Sequence, residues 1–556
     1  MKRLIILLPL LSVLFWASCK KDVEEGPLEN LDEDYIFDPI DQNGNYAEQF
    51  LTDIYANLPT GFNRISNSML DAATDDAVPS QNGSTIEHLI FGRVDPFMNP
   101  EDVWSRHYGG IRKVNIFLSK IDRVPKPKDV LTYWKMEARF LRAYFYFELV
   151  KRYGGVPLMG DKVPTLADDL SYKRNSFEEC INYIVSELDD IRAASRPDPV
   201  PDAEWGRSSQ AVVLALKSRV LLYAASALFN GGNIGSNAAE RQIAGYATYD
   251  AERWRKAAQA ADAVIKTGIY GLESSANYVN IFVTRRHKEI ILAYMRGNST
   301  DVETNNGPVG FTLYGFRGYT SPTQDLAEAF LMKNNKPITD PTSGYNPNNP
   351  ASNRDNRFAM VFLYNGARWF KRNVETFEGG LDKPGGNLVQ TKTGYYLKKF
   401  CYKAEEAASV GSQSHNFPLI RYAEILLNFA EATNEADGPT SAARDAVTQI
   451  RARGGLPAVP GNISQEEFRA MIRNERRVEL CFEEHRYWDL RRWKTAASVL
   501  NKDLRGSKIT RDAGGSYQYA PIIAGRISFN APRAYLYPIP QNELYRNRNL
   551  FQNPGW

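Results

Sequence analysis

Apolar side chains recur at intervals of three and four along 46–58 and 104–121, 133–152 and 177–194, 208–229 and 251–267, and 418–433 and 441–453. That period places them on one face of a helix, and their succession in twos predicts helical hairpins. In 133–152 the ring stripe Phe140, Tyr144 and Phe147 reads as core, as do Ile420, Ala423, Leu427 and Ala430 in the last pair. Between about 270 and 415 the helical period gives way to Asn, Gly, Pro and aromatic residues, with strand-like runs at 289–294 and 395–400. A second irregular excursion, 60–103, interrupts the first pair.

The pairs resemble tetratricopeptide units in length and in their alternation of bulky and small residues, although the regular Trp-Leu-Gly-Tyr spacing is absent. The expected fold is therefore mainly α: four degenerate tetratricopeptide-like helix pairs forming a scaffold, with long irregular insertions and a few short strands. Helix faces in such a scaffold bury one another, which leaves the insertions free to shape a ligand surface.

The N-terminus changes the picture of location. Lys2 and Arg3, an apolar run over 4–16, then Ala17 and Ser18 before Cys19 have the order of a secretory signal over 1–18. The run is too short to span a bilayer comfortably, and no later stretch is long and apolar enough. Cys19 is the expected lipidation site, although Trp16 stands where a lipobox has an aliphatic residue. Residues 19–45, rich in acid with a Gly-Pro step, read as a flexible tether. The body then divides into 46–270 and 271–556 as parts of one compact fold.

Composition excludes several function classes. An apolar fraction of 43% with 24% charged residues is globular. The net charge of +3 falls to +1 when 1–18 and its two cations are removed, so no nucleic acid is expected. Cys180, Cys401 and Cys481 lie too far apart for a disulfide framework, and Cys180 and Cys481 read as small buried hydrophobes. The five histidines include no metal-binding pair, and the phosphate-loop, dinucleotide and Gly-x-Ser-x-Gly signatures are missing, so neither metal nor cofactor is expected. The stretch from Asp301 to Gly307 resembles a calcium loop, but its Gly stands one place late and Thr312 occupies the twelfth position.

Two constellations stand out. Glu475, Glu479 and Glu483 are spaced by four in a charged segment read as one helix over about 464–500, among Arg476, Arg477, Arg486, Arg491 and Arg492. Cations on every side hold carboxylates ionised, which suits a structural ion-pair network and not a general acid. The other is a set of loop-borne rings: Phe91 and Phe97 in the first excursion, and Tyr314, Phe316, Tyr319, Tyr345, Tyr364, Trp369 and Phe370 in the second. A sugar ring presents a C–H face that stacks on an aromatic ring, while Asp75, Asp76, Arg296 and Arg317 could meet its hydroxyls. The expected ligand-binding set is Asp75, Phe91, Phe97, Arg296, Tyr314, Phe316 and Tyr319, with at least two of the rings open to one shared pocket near Asp75 or Arg296.

Three segments carry a family resemblance: EARFLRAYFYFELVKRYGGVPL from Glu137, NERRVELCFEEHRYWDLRRW from Asn474, and the closing YLYPIPQNEL from Tyr535 with NLFQNPGW from Asn549. GRSSQAVVLALKSR from Gly206 and RYAEILL from Arg421 support them. In this order they resemble the SusD/RagB family from the signal to the last residue. The resemblance implies a non-catalytic lipoprotein of the outer membrane, facing the exterior. It would bind a nutrient, in most cases a glycan, and deliver it to a SusC-like TonB-dependent transporter. A surface glycosidase and a tetratricopeptide-like scaffold that binds peptide or protein are the alternatives.

Overall fold

The computed structural model describes residues 33–165, 167–311, 315–402, 407 and 409–556. The signal segment, Cys19 and most of the tether lie outside the described residues.

The scaffold helices are α1 (Asn45–Tyr55), α2 (Trp104–Lys120), α3 (Lys128–Tyr153), α4 (Phe177–Arg192), α5 (Gln210–Ala225) and α6 (Glu252–Ile265). The short α7 (Asp301–Asn306) precedes α8 (Tyr422–Asp437), α9 (Ser441–Arg453), α10 (Gln465–Glu479) and α11 (His485–Arg492). The molecule is mainly helical, with helix starts set by local chemistry. Ser176 caps α4 and exchanges bonds with Glu179, and Ser464 does the same with Glu467 on α10. Ser209 accepts from the Val212 amide at the start of α5. Each predicted pair packs as a hairpin, and α6 also lies against α8.

Helix α3 is the hub. From Ala138 onward nearly every face is buried, and Phe140, Tyr144 and Phe147 join the main core. A helix buried all round needs neighbours all round, which α2, α4 and α5 supply. Cys180, Cys401 and Cys481 are free thiols in buried sites.

The strands are β1 (Ala77–Pro79), β2 (Ile290–Ser299), β3 (Thr320–Pro322), β4 (Gln413–Arg421), β5 (Lys502–Arg511) and β6 (Tyr517–Ile527), with two-residue ladders between β3 and β4. Among the described residues the strands pair antiparallel in twos: β1 with β3, β2 with β4, β5 with β6.

Three sequence expectations require correction. Residues 418–421 are strand and not helix, because β4 finds its partner in β2, with Pro418 opposite Ala293 and Arg421 opposite Ile290. The charged segment 464–500 is not one helix. After Glu479 the chain turns through Phe482 (φ 62°) and Glu484 (φ 66°), and α11 starts at His485. This break is held from outside: the Phe482 amide donates to Asp71 Oδ1 at 2.9 Å, and Arg64 Nε meets Glu484 Oε1 at 2.6 Å. The β5–β6 hairpin was not anticipated, since Pro521 and a register shift between Ile523 and Gly525 interrupt its alternation.

A second centre is ionic. Arg421 spans Glu289 (2.7 Å), Glu479 (2.9 Å) and Glu483 (2.7 Å), while Arg453 holds Glu289 (2.6 Å) and Glu479 (2.5 Å). Arg357 reaches Glu479 and Asp355, and Lys399 reaches Glu483. Burial alone would raise the Glu479 pKa, but Arg453, Arg421, Arg357 and Lys399 hold it far below the carboxylate range. For Glu475 burial prevails over Arg357, and its pKa is raised, contrary to the uniform depression expected from the sequence.

Candidate functional site at the seam of two insertions

The excursion 60–103 and the central insertion are joined edge to edge. Strand β1 of the first pairs with β3 of the second, in the register Val78 to Ser321. Ser80 Oγ donates to Gly318 O at 2.5 Å, and the Ser80 amide to Tyr319 O at 2.8 Å. Beside this ladder Asn63 and Asn306 exchange side-chain amide bonds at 3.1 and 2.9 Å. Asn63 Nδ2 also donates to Asn67 O at 2.7 Å. Backbone bonds from Arg317 to Thr304 O (2.7 Å) and from Tyr319 to Asn305 O (2.8 Å) fold the loop before β3 back onto α7.

Around these joints polar groups face solvent. Asn67, Asn82, Thr85 and Arg317 are exposed, and Ser66, Arg296, Tyr319 and Lys392 are half-exposed. Ser66 Oγ and Thr85 Oγ1 are 2.5 Å apart, and Lys392 Nζ donates to Asn82 Oδ1 at 2.6 Å. Arg296 is anchored by Asp301 at 2.8 Å, and its guanidinium carbon lies 5.6 Å from the centre of the Phe62 ring. Phe62, Ser66 and Asn67 all have left-handed backbone, with φ of 53°, 46° and 67°. Such conformations cost of order 1–3 kcal/mol each and persist where surrounding bonds over-determine them, most often at ligand sites.

The expected site residues separate into groups. Arg296 and Tyr319 stand at the seam. Phe91 is half-buried with the Arg93 guanidinium 4.9 Å from its ring centre, and the next residue, Gly92, gives its carbonyl to Asn530. Phe97 is 74% exposed on a turn pinned by Asp95 Oδ1, and the adjoining Pro96 carbonyl accepts from Gln541. The backbone beside these two rings is thus tied to the C-terminal segment. Tyr314 lies outside the described residues.

Asp75 and Phe316 are corrections. Asp75 is 1% exposed and held between Arg486 (2.9 Å) and Arg477 (3.0 Å), so its acceptor capacity goes to those guanidinium groups. Burial would raise its pKa, but Arg477 and Arg486 hold it well below the usual range. Phe316 is 4% exposed in a ring cluster with Phe311 and Phe370, at 5.9 and 5.7 Å between centres, which is continuous with the main core. Of the other polar groups proposed, Asp76 is buried and paired with Arg477 at 2.7 Å, whereas Arg317 is exposed.

Asn63, Ser66, Asn67 and Asn306 escaped the sequence reading. A signal was available for Asn67 alone: Asn, above other residues with a Cβ, tolerates left-handed backbone, and Asn67 stands in a loop at φ 67°. The calcium-like stretch forms α7, with Asp301 committed to Arg296. Among the described residues, no group of three or more His, Cys, Asp and Glu is placed to hold a metal ion.

Comparison with known proteins agrees with this architecture. Residues 288–556 match the SusD family model, and residues 43–222 match a model described as starch-binding, associating with the outer membrane. SusD-like protein P2 of Formosa agariphila is 24% identical over 477 residues, spanning 82% of this chain and 80% of that one. A solved SusD-like protein of Bacteroides fragilis NCTC 9343 is 28% identical with a TM-score of 0.78, covering 96% of this chain and 100% of that one. A SusD-like carbohydrate-binding protein of the same strain superposes at a TM-score of 0.75, with 24% identity, over 92% and 99% of the two chains.

Proposed function

We propose that this chain, which belongs to the SusD family, captures a carbohydrate at the seam and passes it to a SusC-like TonB-dependent transporter. The family is one of carbohydrate-binding proteins and not of enzymes, associated with the outer membrane. Within that frame the seam is the part of the fold whose polar side chains are left over from scaffold building. Amide, hydroxyl, guanidinium and phenol groups converge there from two insertions, which is the donor and acceptor mixture a polyol needs. In this reading the Tyr319 ring takes the C–H face of one sugar, and Arg296, Asn67, Asn82 and Thr85 take hydroxyls. Cys19 carries the lipid and 19–45 is the tether that lets the body face the exterior.

The observation that carries the reading is the joining of the two insertions through β1, β3 and the Asn63–Asn306 pair. A glycan array followed by calorimetry on the mature protein tests it. Arg296→Ala and Tyr319→Ala should each weaken binding by about 1–3 kcal/mol, the scale of one lost hot-spot contact, with the melting temperature unmoved. Full affinity in both variants refutes the seam as the site.

A further inference from the structure

A concavity lies on the scaffold side of β2. Its volume is about 380 Å3, at the small end of the range for ligand pockets, about 300–1,000 Å3. One wall is the loop before α5, with Asp198, Trp205 and Arg207; the others are Tyr270, His287 and the inner half of β2 up to Met295. The walls are fixed. Trp205 Nε1 donates to Arg285 O at 2.6 Å, and Asp198 Oδ2 accepts from the Ala211 amide at 2.8 Å. Gly206 has φ 96°, and a Cβ there would run into Met295 Cε, so loop and strand close on each other at that point.

The lining has the two features that hold a sugar ring. Trp205 and Tyr270 are half-buried rings at the cavity, and the Arg286 guanidinium lies 5.3 Å from the centre of the Trp205 ring. Asp198 and the exposed Arg286 add hydroxyl partners. The charges are balanced locally: Arg207 by Glu137 and Glu48, Arg286 by Asp202, and Lys288 by Glu273. A cavity with its cations already paired does not select an anion.

We infer that this cavity is a second saccharide site, which takes the end of a short neutral oligosaccharide. The ligand class rests on the carbohydrate reading above; the place does not. Successive residues of a strand point to opposite faces, so β2 serves both sites, Met295 lining the cavity and Arg296 standing at the seam.

The test uses the mature protein with maltotriose, cellotriose and laminaritriose, read by saturation-transfer NMR and calorimetry, beside the polysaccharide bound by the seam. Three variants are compared: the seam double variant Arg296→Ala/Tyr319→Ala, Trp205→Ala, and Tyr270→Ala in case the indole is needed for folding. At least one trisaccharide should keep its affinity within about threefold in the seam variant, and lose about tenfold or more in a folded cavity variant. Trisaccharide binding that vanishes with the seam variant, or is indifferent to both Trp205 and Tyr270, overturns the second site and leaves the seam intact. Polysaccharide binding with no trisaccharide binding does the same. Failure of the wild type to bind either kind of sugar overturns both readings.

Discussion

Asn63 and Asn306, 243 residues apart in sequence, give each other both an amide donor and an amide acceptor, at 3.1 and 2.9 Å. Asn306 is fully buried, so a lost partner leaves its carboxamide without water to replace it. Asn63→Ala and Asn306→Ala should each cost about 1–3 kcal/mol, and the double variant should cost less than their sum, by about 0.5–3 kcal/mol. Chemical denaturation of the four proteins measures this. Strict additivity would mean that the pair does not join the insertions energetically.

Glu479 accepts from Arg453, Arg421 and Arg357 without exposure to solvent. Glu479→Ala strands those cations and should destabilise by about 3–5 kcal/mol, while the folded fraction keeps its carbohydrate affinity within about threefold. A variant that is fully stable, or that folds and no longer binds, contradicts a structural role. The pH dependence has a definite sign. Because the folded pKa is depressed, this group's stabilisation is complete above about pH 4 and is lost as pH falls toward the folded value.

Asp71 works in the opposite sense. Burial, reinforced by Asp76, pushes its carboxyl up to about 8, and its Oδ1 accepts from the Phe482 amide. Between about pH 4 and 8 the unfolded chain has released this proton and the folded chain has not, so the group lowers stability as pH rises. Asp71→Asn keeps the acceptor and removes the ionisation. The variant should match the wild type near pH 4 and exceed it at pH 8, as read from denaturation midpoints at the two pH values. Equal differences at both would show that Asp71 is ionised in the fold.

Two phenylalanines expected to act alike should separate. Phe316→Ala opens a hole between Phe311 and Phe370 and should cost about 3–5 kcal/mol. Phe97→Ala, at an exposed turn, should stay within about 0.5 kcal/mol. Melting curves settle both; similar losses would place Phe97 in a packed environment.

Cleavage before Cys19 and acylation of its thiol should appear as one added lipid mass in the membrane fraction, and Cys19→Ala should release the body from that fraction. Intact-mass spectrometry of the two proteins decides the matter, an unmodified thiol in the mature protein being the contrary result.

The helical scaffold was legible because apolar period and caps are local properties. The run from Phe140 to Phe147 announces a buried helix in any context, and Ser176 with Glu179 marks the start of α4 within its own four residues. What escaped depends on partners far along the chain. Asp75 looks like a loop carboxylate until Arg477 and Arg486 arrive from α10 and α11. Phe316 looks exposed until Phe370 closes over it. The break after Glu479 is imposed by Asp71 and Arg64, so nothing near Phe482 signals it. Arg296 and Tyr319 were legible as site candidates because the irregular insertions were; the asparagines that fasten those insertions were not, since a carboxamide pair carries no period.

Because the seam is fastened across so long an interval, ring closure between its halves is entropically late, after the helical hairpins have formed from near neighbours. Binding competence is consequently a property of the finished chain. No fragment ending before Asn306, however well its helices fold, holds both sides of the seam.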